Sequence, residues 1–215
     1  MLLAGAKGFA KEVLEVILQL KQLENLVFYD DVNKDAPEKL FGQFPVFSSI
    51  EEASNYFKTV DNRFTIGIGN PILRRKLYDK FRAIGGDFVS TISPLSIIGS
   101  FDVQIGCGSN ILSGAIFSNS TKLGKGCIVY YNSIITHDCL IGDFVEISPG
   151  AILLGRCEIG SYSHIGASAT ILPGVKIGEN VIVGAGAVVT KDVPENCLVV
   201  GVPALIKKQL TPLDF

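Results

Sequence analysis

Branched-aliphatic residues or phenylalanine return every six positions along the second half of the chain. The run is Ile105, Ile111, Phe117, Leu123, Val129, Ile135, Ile141, Ile147, Leu153, Ile159, Ile165, Ile171, Ile177, Val183 and Val189, with no insertion. Neither the 3.6-residue helical period nor simple strand alternation gives that spacing. A strict repeat of this kind marks a solenoid, in which each unit packs only on its neighbours. Four residues after each large site stands a small one: Ser109, Ala115, Thr121, Cys127, Ser133, Cys139, Val145, Ala151, Cys157, Ser163, Ala169, Val175, Val181, Ala187 and Val193. Large and small side chains alternating inward fill a narrow tube without overpacking it. Gly106, Gly124, Gly142, Gly160 and Gly178 recur every eighteen residues, or three sixes. The cross-section is therefore a triangle with glycine at one corner, where tolerance of positive φ is the expected reason for it. Residues eighteen apart stack one strand spacing, roughly 4.8 Å, from each other. Positions 105–194 then make about five coils of a parallel β-helix.

The first 92 residues follow other periods. The apolar run Leu2-Leu3-Ala4 leads through Gly5-Ala6-Lys7-Gly8 into an amphipathic helix carrying Val13, Leu14, Ile17 and Leu20. Only four residues precede Gly5, so this first strand is expected to be weak. A second strand, Leu26–Tyr29, ends at Asp30-Asp31; a third, Phe64–Ile68, ends at Gly69-Asn70, and Pro71 opens the next helix. Alternating strands and helices predict a parallel sheet with helices on its faces. Ligands bind such sheets at the carboxyl ends of the strands, where Gly5–Gly8, Asp30-Asp31 and Gly69-Asn70 would meet. The glycine loop is not a full G-x-G-x-x-G. It reads equally as a packing turn or as a helix start whose N–H groups face a phosphate. Asp30 or Asp31 suits a ribose hydroxyl or a solvated turn, and Arg74 and Arg75 read as a wet helix face.

Composition narrows the partners. A net charge of −2 and a pI near 5.7 argue against nucleic acid. No apolar stretch of about eighteen residues occurs, so no membrane insertion is expected. The start lacks a charged n-region and a cleavage site, which makes the cytoplasm the expected compartment. Cys127, Cys139 and Cys157 fall on the small inward register and read as buried thiols. Cys107 and Cys197 lie off it, and the odd count gives no disulfide framework.

The chain has two histidines. His137, in Thr136-His137-Asp138-Cys139, comes two residues after inward Ile135, so its ring should point out from a corner. A lone surface histidine is usually inert. Two features set this one apart: the stretch 132–138 carries polar groups and has no glycine corner, and Gly155 stacks over His137 eighteen residues on. A bare backbone amide then lies about one strand spacing from the imidazole. His164 precedes inward Ile165 and reads as a surface or interface histidine. The two are 27 residues apart, not a multiple of 18, so they do not stack around a metal. The prism should expose Ile134, Ile152, Leu154 and Val200 on its flats, which suggests association.

The segments IGDFVEI, IGSYSHI, IGASATI, IGENVIV and VGAGAVV resemble the hexapeptide-repeat family. That resemblance implies a left-handed β-helix, against the usual right-handed crossover. Nearly the whole chain is similar to the sugar acyltransferases of the sialic acid O-acetyltransferase type, which include N-acetyltransferases of UDP-4-amino-sugars. The matching pieces are GAKGFAKEV, FYDD, IGIGN, ITHDCLIGDFVEISPGAILLGRCEIG, IGASATILPGVKIG and VGAGAVVTKDVPENCLVVGVPA. The implied fold is an α/β Rossmann-like nucleotide-sugar domain over 1–92, followed by a left-handed parallel β-helix acetyltransferase domain with a tail over 93–215. The implied reaction moves acetyl from acetyl-CoA to the amine of a UDP-type 4-amino-sugar, without a metal; O-acetylation of sialic acid or another surface sugar is the alternative. His137 is then the general base, Asp138 orients it, and the Gly155 amide meets the oxyanion. The Ala167 and Ala185 amides hold the pantetheine arm. Gly5, Gly8, Asp30, Asp31, Gly69 and Asn70 hold the nucleotide. A homotrimer with active sites in clefts between prisms is implied too. Glu146 stands where some relatives carry a second histidine near the acyl donor. It could share that donor role, hold the acceptor amine or face solvent. Outside this family, a zinc enzyme on the same solenoid needs three histidines, and a non-catalytic sensing module leaves His137-Asp138-Cys139 without purpose.

Overall fold

The structure, a computed structural model, describes residues 1–33 and 37–214. The first sheet is built from β1 (Leu2–Ala4), β2 (Val27–Tyr29), β3 (Lys39–Leu40), β4 (Phe44–Phe47), β5 (Arg63–Ile66) and β6 (Asp87–Phe88), in the order β3-β4-β2-β1-β5-β6. All pairings are parallel except β3 with β4. Helix α1 (Gly8–Gln19) buries Phe9, Ala10, Val13, Val16 and Ile17, a stripe at helical spacing. The sequence reading assigns nothing between β2 and β5, where β3, β4 and α2 (Ile50–Thr59) lie. Ser49 and Glu52 form a capping box at the start of α2, a signal visible in the sequence. Helix α3 (Pro71–Ala83) completes the layer. The short β1 is not weak. It sits at the centre of the sheet between β2 and β5, fully buried, because Leu2, Leu3 and Ala4 have helices or solenoid on both sides.

From Thr91 onward the chain winds as a triangular prism of two-residue strands. Face 1 runs from Thr91–Ile92 through Asn110–Ile111, Ile128–Val129, Glu146–Ile147, His164–Ile165 and Ile182–Val183 to Cys197–Val200 and Leu205–Gln209. Face 2 runs from Ile97–Ile98 to Val188–Val189, and face 3 from Gln104–Ile105 to Lys176–Ile177. Strands pair at an offset of eighteen, as Ile128 with Glu146 and Glu146 with His164. The alternating large and small inward positions are buried as expected, Ile105 alone only partly. Ile92 and Ile98 add a coil the six-residue count does not reach, because the step from Ile98 to Ile105 is seven residues. Cys197 is buried and Cys107 exposed.

The corner glycines serve a different purpose from the expected one. Gly106, Gly124, Gly142, Gly160 and Gly178 do not have positive φ; the left-handed residues come two positions later, at Gly108, Gly126, Phe144, Tyr162 and Asn180. A Cβ on Gly106 would stand 2.4 Å from the carbonyl carbon of Gly124, and one on Gly142 2.6 Å from the Ser161 nitrogen. Glycine is required because the next coil's backbone crosses too closely for a side chain. Gly142→Ala should therefore cost about 1–3 kcal/mol, read as a lowered urea midpoint.

Outward residues separate the three faces. Face 3 shows Gln104, Lys122, Leu140 and Lys176 to solvent. Face 1 is covered by the first domain over Asn110, Ile128 and Glu146, all buried. There Asn110 accepts from the Thr65 and Thr91 hydroxyls at 2.9 and 2.6 Å and donates to the Ile66 carbonyl at 2.7 Å. Face 2 presents Ile97, Ile116, Ile134, Ile152, Thr170 and Val188, exposed or half-buried and uncharged. No helix among the described residues is long and apolar enough to cross a membrane.

Candidate active site

His137 lies at the corner between faces 2 and 3, and its side chain is 54% exposed. Its Nδ1 stands 2.7 Å from Asp138 Oδ2. A carboxylate only accepts, so Nδ1 is the donor of this bond, which in the neutral imidazole leaves Nε2 as the acceptor. The Arg156 N–H donates to the His137 carbonyl at 3.0 Å and pins the turn. Gly155 lies against the ring: a Cβ there would stand 2.5 Å from Cε1 and 2.6 Å from Nε2. Glycine thus makes room for the imidazole. Among the described residues the Gly155 N–H donates to no backbone carbonyl.

Ala167 and Ala185 follow Ile165 and Val183, so they lie on the corner between faces 1 and 2. That is one face away from His137. Their amides stack one coil apart, and the Ala167 carbonyl accepts from Gly186 N–H at 2.8 Å.

A cleft of about 450 Å³ opens at the carboxyl ends of β1, β2 and β5. Gly5, Gly8, Asp30, Asp31 and Gly69 line it. Gly5 has φ +107°, and a Cβ there would stand 2.9 Å from the Gly67 carbonyl. Helix α1 starts at the cleft with no side-chain cap, which leaves its first N–H groups for an anion. The sequence reading missed Lys76 and Lys80, which also line it. Asn70 is not among the lining residues; its side chain caps α3, accepting from Leu73 N–H at 3.0 Å. Both carboxylates already have partners. Asp30 accepts from the Asn33 side-chain amide at 2.7 and 2.8 Å. Asp31 takes Lys80 Nζ at 2.5 Å and the Tyr29 hydroxyl at 2.9 Å. Burial alone would raise the Asp31 carboxyl, but those two bonds outweigh it and hold it below its ordinary value.

Arg74 overturns the wet-face reading. It is 1% exposed. Its Nε donates to the Gly126 carbonyl at 3.1 Å, and its two terminal nitrogens donate to the Gly69 and Phe144 carbonyls. One side chain therefore ties the end of β5 to two successive coils. Burial lowers its guanidinium to about 10, still charged at neutral pH. Arg75 keeps to the surface, paired with Asp79. Glu146 does not face solvent either. It is 8% exposed, beneath the first domain, 3.8 Å from Arg74 Nη1 and 3.8 Å from His164 Nε2. His164 is half-exposed, with its Nε2 2.9 Å from the Ser148 hydroxyl. Among the described residues no group of three His, Cys, Asp or Glu could hold a metal.

Two family models match: the PglD N-terminal domain over 1–81, and the bacterial transferase hexapeptide over 138–172 and 164–191. No curated protein matches the sequence. Among solved structures, the acetyltransferase domain of PglB from Neisseria gonorrhoeae FA1090 is 32% identical over 95% of this chain and 98% of its own, with TM-score 0.87. The same domain has been solved in complex with acetyl coenzyme A. WeeI from Acinetobacter baumannii AYE is 33% identical over 95% and 98%, with TM-score 0.83. A histidine-to-asparagine mutant of perosamine N-acetyltransferase from Caulobacter crescentus, in complex with CoA and GDP-perosamine, is 29% identical over 97% and 96%, with TM-score 0.89. The fold is accordingly an α/β domain followed by a left-handed parallel β-helix.

Proposed function

The chain belongs to the PglD-like hexapeptide-repeat sugar N-acetyltransferases, which take acetyl from acetyl-CoA, and on that premise we propose that it acetylates the amine of a UDP-linked 4-amino-sugar. The observation that carries the reading is the imidazole held between the Asp138 carboxylate and the bare Gly155 backbone. The acceptor nitrogen attacks the thioester carbonyl, and Nε2 of His137 takes its proton. The Gly155 N–H donates to the oxyanion, worth roughly 3 kcal/mol by analogy with side-chain donors. Collapse expels the CoA thiolate, which takes the proton from His137, and no residue is acylated. The helix start and the lysines suit the diphosphate. The reaction is placed in the cytoplasm.

The faces support a trimer. Face 2 is apolar and uncovered, whereas face 3 is polar and face 1 is already covered. If face 2 turns toward a three-fold axis, one corner of each prism meets the opposite corner of the next, a heterologous contact that closes into a ring. The corner with His137 and Gly155 then faces the neighbour's Ala167 and Ala185, beside the neighbour's first domain. This accounts for base and amides lying on different corners of one chain.

The test is acetyl-CoA turnover, followed as released thiol, over UDP-, GDP- and CMP-linked amino-sugars and their hydroxyl counterparts. The UDP-linked 4-amino-sugar should react fastest. Faster reaction of a hydroxyl sugar, or no turnover at all, overturns the reading.

A further inference from the structure

Resting on that reaction, we propose that Glu146 is the residue that recognises the acceptor, binding the protonated amine of the nucleotide-sugar before transfer. The surroundings of the Glu146 carboxylate leave it without a bonded partner among the described residues. It is largely buried yet accepts no hydrogen bond among the described residues, its nearest cations standing at 3.8 Å. Arg74 is held short of it by its bonds to the carbonyls of Gly126, Ile68, Gly69 and Phe144. His164 is turned to Ser148 instead. The Glu146 oxygens, not hydrogen-bonded and not fully sealed from solvent, are open to a donor that arrives from the cleft.

Position supplies the donor. A Cβ on Gly69 would stand 3.4 Å from Glu146 Oε2, and Gly69 lines the cleft. A nucleotide lying from the start of α1 toward Gly69 extends its sugar to this carboxylate. Ser148, beside it in sequence, turns the corner that leads toward face 2, where the partner's base would stand. Charge balance agrees. Glu12 on α1 lies within electrostatic reach of Glu146, and burial together with that neighbour raises its carboxyl, with a bond to Tyr131 opposing. Arg74 offsets one of the two carboxylates, and an ammonium offsets the other. A hydroxyl acceptor brings no such charge, so Glu146 favours amino-sugars over their hydroxyl counterparts. The bound ammonium releases one proton to solvent before attack. The second goes to His137 as the C–N bond forms, then to the departing thiolate.

The experiment measures binding of whichever of GDP-perosamine and the UDP-linked 4-amino-sugars the wild type acetylates faster, against its N-acetylated product and the free nucleoside diphosphate. Glu146→Gln should weaken the amino-sugar at least tenfold and raise its KM equally. Product and nucleoside diphosphate should bind as before, and Glu146→Asp should recover part of the preference. Unchanged amino-sugar binding in Glu146→Gln overturns the proposal, as does an equal loss for all three ligands, which marks a structural role. Absence of wild-type turnover sinks the underlying reaction and this inference together; normal turnover with an unaltered Glu146→Gln sinks this inference alone.

Discussion

His137→Ala should lower turnover of acetyl-CoA by about 10²–10⁴-fold, the range a positioned general base supplies. The fold should survive, because the side chain is 54% exposed and, among the described residues, its hydrogen-bond partner is the similarly exposed Asp138. Its melting curve should then overlay that of the wild type. His137→Asn keeps a polar group at the corner but no base at neutral pH, so it should lose as much. Gly155→Ala tests the same centre from above. Its methyl would enter the space 2.5–2.6 Å from the ring, so the imidazole must move. Positions about 1 Å out of line cost on the order of a hundredfold. The residual rate in each variant reports what proximity alone supplies. A His137→Ala enzyme turning over at the wild-type rate would remove the imidazole from the chemistry.

Much of this centre can be read from the chain because the solenoid converts residue numbers into positions. With eighteen residues per coil, 137 and 155 must stack, and the strand registers obey that count. The same arithmetic puts 167 beneath 185. It locates glycine at one corner but not the reason for it, since close coil crossing and positive φ both favour the same residue. Arg74 shows what the arithmetic does not reach. A cation on a helix ordinarily faces water, and the groups that hold Arg74 are backbone carbonyls, which every residue type carries alike. Its burial depends on how one domain seats on the other. The burial of Glu146, as distinct from its candidacy, and the pairing of Asp31 with Lys80 are illegible for the same reason, each depending on partners far away in sequence.

Activity should return when two dead variants are mixed. In the proposed trimer the base comes from one chain and the nucleotide-sugar cleft from its neighbour. One parent is His137→Ala. The other is Gly8→Asp, which sets a carboxylate where a phosphate would meet the start of α1. An acidic residue suits a helix N-terminus and a Cβ at Gly8 meets nothing within 4 Å, but the Gly8 φ of +26° strains any side chain there, so the melting curve of this parent is compared with that of the wild type before mixing. Unfolded together in equal amounts and refolded, the chains assort at random. A site between neighbours is then whole in about a quarter of cases, so about a quarter of wild-type turnover should appear. A site contained in one chain would give none. The same logic makes face 2 indispensable. Ile134→Asp or Ile152→Asp sets a charge on the buried side of the ring, where an unpaired carboxylate cannot stay. Sedimentation should then report a mass near 23.0 kDa in place of three times that value. Turnover should vanish with it, although His137, Gly155 and the cleft remain intact in every chain.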